Sequence, residues 1–424
     1  MPIVILGGGI ISSATAYYLS ETQSPADIHI VESSSELFSS ASGYAAGFLA
    51  KDWFVPSVAP LGELSFDLHE KLAAENGGTE KWGYMKGTAL SLDTPVRRRG
   101  GSRGDRWLGT GTSRAEAAAG LSESGTAGAP AWLTVQPGVE VEKISDVDTA
   151  QVDPLRLCKF LMDTAISRGV QLHQPAKATS LLSDETGTAT GVKILDTTSD
   201  TESTIPCTHL IICAGAWTPQ VFANLFPSAQ VSIPISPLAG YSLVLRSPRH
   251  TPEHEQRVYG GRSHAIFASN PFSCDFSLEI FSRHGGEIYV AGLNDPDMPL
   301  PARADESRSL MDPEELERYK EVAVQLMGRL TGEGAGSEIR NTDDLEVLRE
   351  GLCFRPVAGR GIPILCPVED DVLGGRIRFG RGGGLFVASG HGPWGISLSL
   401  GTGRVVADMV EGLLPRADVS GLGL

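Results

Sequence analysis

Residues 4–19 read VILGGGIISSATAYYL, three consecutive glycines between an apolar run and a proline-free stretch of apolar and small residues. Residues 3–6 are apolar and mostly β-branched, the signature of a buried strand. Residues 10–19 predict a helix packed on both sides. The glycines are then the turn between strand and helix. Such a turn suits a phosphate: backbone N–H groups at a helix N-terminus point at the anion, and absent Cβ atoms let it approach. Gly7 makes the tight turn, and Gly9 lets a pyrophosphate sit against the backbone. Ser12 takes the third place, where glycine normally permits close helix–strand packing. Residues 27–33, DIHIVES, predict the second strand. Glu32 at its end lies close to the ~20-residue spacing of the carboxylate that holds a ribose hydroxyl, and Ser33 follows it. No arginine comes directly after to receive a 2′-phosphate. The pattern predicts dinucleotide binding.

Composition bounds the alternatives. The chain has 424 residues, 20% charged and 41% hydrophobic, which suits two or three domain-sized units. A net charge of −16 argues against nucleic acid or an anionic membrane as partner. Cys158, Cys207, Cys213, Cys274, Cys353 and Cys366 are scattered, without C-x-x-C or metal-ligand spacing. This fits a reducing compartment and predicts neither a disulfide framework nor a metal site. Met1 abuts the first strand, no apolar stretch reaches the ~20 residues of a membrane span, and the C-terminus is not S-K-L. The expectation is a cytoplasmic protein.

Along the chain, residues 94–120 are rich in arginine and glycine with little periodicity, as in a solvated insertion or an anion-binding loop. Residues 153–173 predict a helix capped by Asp153 and stopped by Gly169. Residues 191–197 and 209–217 predict strands, the second wholly apolar and ending in Ala-Gly-Ala, as a central parallel strand would. Between 233 and 290 the pattern alternates and turns become frequent, which predicts an antiparallel sheet. Residues 312–330 predict an amphipathic helix, 384–390 another buried strand, and 395–414 a long helix glycine-rich in its first half. The implied fold class is α/β (α+β overall): a discontinuous Rossmann-like domain of residues 1–90, 150–232 and 350–424. An antiparallel-sheet substrate or cap domain of residues 91–149 and 233–349 is inserted in it.

Six strings occur in the order in which one known family carries them: GGGIISSATAYYL with Glu32, SASGYAAGFLA (40–50), QVDPLRLCKFL, LIICAGAW, LCFRPVAGRGIPIL (352–365) and VASGHGPWGISLSLGTG (387–403). The chain resembles the D-amino-acid oxidase, glycine oxidase and sarcosine oxidase family of FAD-dependent oxidoreductases, and is closest in flavour to fungal members. The resemblance covers most of the length and is thinnest in the substrate region. It implies FAD as cofactor, with Gly7, Gly9, Ile10 and Ile11 at the pyrophosphate, Glu32 at the adenosine ribose and the Ala178 backbone at adenine. Ser42, Gly43, Ala46 and Gly47 would pass close to pyrophosphate and ring, and Ala214, Gly215 and Trp217 would lie beside the cofactor. Gly390, His391, Gly392, Trp394, Gly395 and Ile396 would lead into the last helix, whose N-terminus would stabilise negative charge growing on the flavin.

The chemistry implied is hydride transfer from a C–H next to an amine nitrogen to flavin N5. The imine formed is hydrolysed, and dioxygen reoxidises the flavin to give hydrogen peroxide. The substrate would be a small amine or amino acid. A flavin dehydrogenase using another acceptor, and a non-catalytic FAD-binding protein, are the alternatives. Arg355 matches the family arginine that binds a substrate carboxylate through a bidentate fork, although Arg360-Gly361 follows where the family usually has Asp-Gly. Cys353 matches by spacing the cysteine that sarcosine oxidases bond to the flavin 8α carbon; the other reading is a buried inert thiol. The carboxylate-binding lysine of sarcosine oxidases falls on Ser397, and their oxygen-activating lysine on Tyr289. Lys51 would supply charge near the ring, or be solvated. Tyr241, His264 and Arg283 are candidate pocket residues from the inserted domain.

Overall fold

The computed structural model describes residues 1–93, 128–135, 140–269, 276–331, 340–375, 377–380 and 382–424. The insertion at 94–120 and Cys274 lie outside the described residues. The nucleotide-type sheet runs, in spatial order, Ile364–Val368, Gly384–Ser389, His209–Ile212, Ile3–Leu6, Ile28–Val31 and Gln171–His173. All its pairings are parallel except the one between Ile364–Val368 and Gly384–Ser389. Ile3–Leu6 and His209–Ile212 are buried at every position, which is why, His209 apart, they read as continuous apolar runs rather than alternating ones. The second strand starts at Ile28 because Pro25–Asp27 is spent on a 3₁₀ turn.

The helix Pro154–Arg168 is set by its ends. The Asp153 carboxylate accepts from the Arg156 N–H at 3.0 Å, and Gly169 leaves the helix at φ +115°. Residues 191–197 form part of a separate three-stranded antiparallel sheet, Ala176–Ser183, Ala189–Asp196 and Thr201–Pro206.

The large sheet holds the strands predicted between 233 and 290. Ile235–Arg246 pairs antiparallel with Glu287–Asp295 on one side and with Glu346–Ala358 on the other. Ser263–Ser269 pairs parallel with Met85–Asp93. One face packs Phe267 and Phe281 against Phe48, from the edge strand Phe48–Ala50 of the same sheet, and Phe267 against Trp53. The opposite face is covered by the helix Pro313–Met327 and by Trp132.

The last helix is shorter than expected. Regular α-helix spans Ser399–Val410, and Gly392–Trp394 is a 3₁₀ turn, so the chain from 391 to 398 winds loosely before the helix begins. Its glycines have a packing reason. The last helix lies against the first, Ile10–Thr22. A Cβ on Gly403 would stand 2.6 Å from the Ala14 carbonyl carbon and 2.8 Å from the Thr15 nitrogen. Arg404 and Asp408, both buried, pair at 3.3 Å on the same helix.

Gly403→Ala weighs two effects. Helix propensity favours alanine by about 1 kcal/mol, while overpacking a core costs about 1–3 kcal/mol. The atoms in the way are backbone, which cannot swing aside, so the second effect wins. The expected outcome is a lower thermal midpoint and weaker flavin retention, measured by thermal unfolding and by the flavin-to-protein absorbance ratio. A variant as stable as the parent would refute tight contact between the two helices.

Candidate active site

The carboxyl ends of Ile3–Leu6, His209–Ile212 and Gly384–Ser389 open on one cavity of ≈ 540 Å³, as ligand sites in parallel sheets do. The glycine turn forms one wall. Gly7 sits at φ +108°, and a Cβ there would lie 2.6 Å from the Cys213 carbonyl oxygen. The Gly8 N–H donates to Glu32 Oε2 at 2.7 Å and the Ser34 N–H to Oε1 at 2.7 Å, so the carboxylate ties the turn to the end of the second strand. The first helix begins at Ile10 without a side-chain cap on Gly9. Ser42 Oγ accepts from the Ile10 N–H at 2.9 Å.

Residues 40–47 cross the cavity and are held from beneath. Arg283, buried, donates from Nη2 to the Ala45 and Ala46 carbonyls at 2.8 and 3.0 Å. The Tyr289 hydroxyl donates to the Tyr44 carbonyl at 2.7 Å. Opposite, the Ser389 hydroxyl donates to the Gly215 carbonyl at 3.0 Å, and His391 Nε2 lies 3.1 Å from Thr402 Oγ1.

The large sheet supplies another wall. Cys353 and Arg355, two apart on one strand, line the cavity with Gly240, Tyr241, Tyr289 and Ala291. The Arg355 guanidinium donates from Nη2 to Asn294 Oδ1. Gly240 lies across the ladder from both Asn294 and Cys353, and its missing side chain leaves the space the guanidinium occupies. The Tyr241 hydroxyl accepts from the Asp312 N–H at 3.2 Å. Burial pushes the Tyr241 and Tyr289 hydroxyls and the Cys353 thiol above their usual pKa ranges, so all three stay protonated at neutral pH.

The family model described as DAO, FAD dependent oxidoreductase, matches residues 2–409. The chain belongs to this family. A Schizosaccharomyces pombe protein named as a candidate oxidoreductase is 25% identical over 452 residues, covering 98% of this chain and 96% of that one. Among solved structures, the fold is similar to glycine oxidase from Geobacillus kaustophilus (TM-score 0.67, 21% identity, 100% of this chain and 97% of that one). It is also similar to iminodiacetate oxidase from Chelativorans sp. BNC1 (TM-score 0.65, 18% identity, 99% and 98%).

The family cofactor is FAD, and the cavity fits it. Gly215 and Gly392 both line the wall at φ +54°, with no atom within 4 Å of where a Cβ would stand. The N-terminus of the first helix, where Ser42 Oγ holds the Ile10 N–H, faces the same space, as a pyrophosphate site requires. The residues able to hold the group are therefore those of the turn, the 42–47 crossing, Ala214–Trp217 and the 391–396 turn.

The cavity gathers most of the residues singled out from sequence. Gly7, Gly9, Ile10, Ile11, Glu32, Ser33, Ser42, Ala46, Gly47, Ala178, Ala214, Gly215 and Trp217 line it, as do Cys353, His391, Gly392, Gly395 and Ile396. Of the candidate catalytic residues, Arg355, Tyr241 and Tyr289 line it and Lys51 does not: its ammonium pairs with Asp67 at 2.8 Å outside the cavity. Three further candidates stand behind the wall. Gly43 accommodates the Phe38 carbonyl, Gly390 packs on Ala358, and Trp394 stacks edge-on against Phe54 at 4.8 Å. His264 lies elsewhere, buried beside Glu255 at 3.7 Å. Ser397 exchanges hydrogen bonds with the Ala50 backbone at 3.1 and 3.3 Å. Sequence reasoning missed Gly8, Tyr44, Gly240, Ala302, Arg303, Ala304 and Glu306. Gly8 was legible as the middle of the triplet; the others depend on contacts far apart in sequence.

Burial pushes His69 and His391 down to about 4. The unfolded chain binds those protons more readily, so the associated stability is present above the ordinary histidine value of about 6.5 and is lost as pH falls toward 4. Thermal midpoint and flavin retention should both drop across that window, and His391→Gln should flatten the drop. An acid limb unchanged by the substitution would mean that His391 is not buried neutral.

Proposed function

We propose that this chain is an FAD-dependent oxidase that takes hydride from the carbon next to an amine nitrogen of an amino acid or secondary amine. The product imine is hydrolysed, and dioxygen is reduced to hydrogen peroxide. The observation that carries this reading is Arg355 on the cavity wall, with neutral Tyr241 and Tyr289 beside it and the glycine turn on the facing wall. The structural neighbours that are a glycine oxidase and an iminodiacetate oxidase support the same donor class.

When bound, FAD supplies the hydride acceptor and the electrons that reach dioxygen. Arg355 holds the substrate carboxylate through its guanidinium fork, with Asn294 fixing the fork's orientation. Tyr241 and Tyr289, kept neutral by burial, add no charge that would compete for the amine. The neutral residues beside the arginine, Gly240, Tyr241, Tyr289 and Ala291, screen its charge from an anion less than water would. In this reading residues 1–90, 150–232 and 350–424 carry the cofactor, and 91–149 and 233–349 form the substrate cap. The Cys353 thiol, protonated and buried, is read as inert, so FAD is held without a covalent bond.

Candidate amines and amino acids should bleach the flavin without oxygen and release peroxide under air. Bleaching without peroxide would indicate a dehydrogenase; no bleaching by any donor would leave a binding protein. Arg355→Met should raise KM for carboxylate-bearing donors by about 30-fold or more, the loss expected when one partner of a buried charge pair is removed. An unchanged KM would remove Arg355 from the substrate.

Acid precipitation of the purified protein should release all its flavin into the supernatant. A yellow pellet that turns colourless in Cys353→Ser would overturn the non-covalent reading.

A further inference from the structure

After Glu287–Asp295 the chain leaves the large sheet and crosses to the nucleotide-binding part before the helix Pro313–Met327 begins. This crossing is tied down at three places. Near its start, the Trp217 indole N–H donates to the Pro301 carbonyl at 2.7 Å. In its middle, Asp305 Oδ2 accepts from the Ser35 N–H at 2.9 Å and from the Ser35 hydroxyl at 2.6 Å. At its end, Arg308 Nε donates to the Tyr44 hydroxyl at 2.6 Å, and Nη2 lies 3.4 Å from Glu36.

The crossing is also stiff in itself. Arg303 pairs with Asp305 at 3.1 Å and with Glu306 at 3.2 Å, and Ala304–Leu310 is wound as a 3₁₀ helix. Ala302, Arg303, Ala304 and Glu306 line the same cavity as the glycine turn. The anchor points have a meaning of their own. Ser35 and Glu36 directly follow Glu32–Ser34, the loop that ties down the turn, and Tyr44 belongs to the 40–47 crossing. The strap therefore joins the sheet that carries Arg355 to the loops that would hold the cofactor.

We propose that residues 299–310 are a latch on FAD, closing over the seated cofactor and opening when FAD enters or leaves. The proposal rests on FAD lying along the glycine turn and Glu32. The exposed contacts suit a latch, while the part-buried Trp217–Pro301 and Arg308–Tyr44 bonds hold its two ends. The bonds between Ser35 and Asp305 are exposed to solvent, and so is the Arg308–Glu36 pair; such contacts are individually weak and reversible. The strap segment is short, already wound, and attached at both ends to rigid elements, so it would move as a unit once its anchors part.

A latch and a simple binding contact differ in kinetics. Losing a contact speeds release alone; weakening a latch speeds both release and uptake. The test therefore follows FAD fluorescence in both directions, with Cys353→Ser in every arm to make it independent of any flavin–thiol bond. Asp305→Ala should accelerate FAD release by about threefold, the scale of one lost solvent-exposed charged contact, and should also accelerate uptake by the FAD-free protein. Asp305→Asn, which keeps an acceptor for Ser35, should stay near the parent. Ser35→Ala is the second variant should Asp305→Ala fold poorly, and it should act in the same direction. Equal thermal midpoints of the FAD-free forms would show that the change is not general loosening. Release and uptake both at the parental rate, or release alone accelerated, would overturn the latch. A parallel Glu32→Ala arm separates the two levels: it should weaken FAD binding, and if it does not, the seat itself is misplaced. If Glu32→Ala weakens binding while the strap variants change nothing, the latch alone fails.

Discussion

The cleft depends on the register of three parallel strands. Ile3 lies opposite His209, and His209 opposite Gly384. Leu6, Ile212 and Val387 consequently stand level, and the turns that follow them emerge on one line. Parallel pairing across such sequence distances is held by burial on both faces, since a slip would displace whole runs of apolar side chains from their pockets. The two outer turns are then clamped from behind, where the first and last helices approach so closely that a Cβ on Gly403 would meet the first helix's backbone. The amino-terminal and carboxy-terminal halves of the cavity are thus one object, assembled by the sheet and locked by the helix pair.

What was legible in the sequence follows from the range of the forces involved. The glycine turn, the Asp153 cap and the Gly169 stop are decided within a few residues, so composition and spacing reveal them. The continuous apolar runs at 3–6 and 210–212 announce strands buried on both faces. Family motifs added the positions of Arg355 and Cys353 on a strand that spacing alone does not mark. Less legible was what each side chain does once distant strands pair. Lys51 follows a motif that passes the cavity, yet it faces Asp67 because its strand, Phe48–Ala50, has ended. Gly43, Gly390 and Trp394 sit within cofactor-like strings but serve packing behind the wall. The last helix begins at Ser399 rather than at Gly395 because the glycine- and proline-containing turn before it is only loosely wound.

The strap was invisible for the same reason. Nothing in PLPARADESRSL marks it as part of a cofactor cavity. Its role is created by partners more than 250 residues away in the chain, Ser35 with Asp305 and Tyr44 with Arg308. Each of these residue types, alone, reads as an ordinary solvated polar group.

On the proposed reading, charge placement around Arg355 also selects the form of substrate that reacts. On the large-sheet wall of the cavity it stands with Gly240, Tyr241, Tyr289, Ala291 and Cys353, and burial keeps the three titratable ones protonated and neutral. A guanidinium among neutral walls raises the local potential more than it would in water, because the medium screens it less. That potential favours a carboxylate and disfavours an ammonium group nearby. Hydride can leave only when the nitrogen carries a lone pair to form the imine. The same arginine that anchors the acid would therefore bias the bound amine toward its neutral form, so binding and activation share one charge.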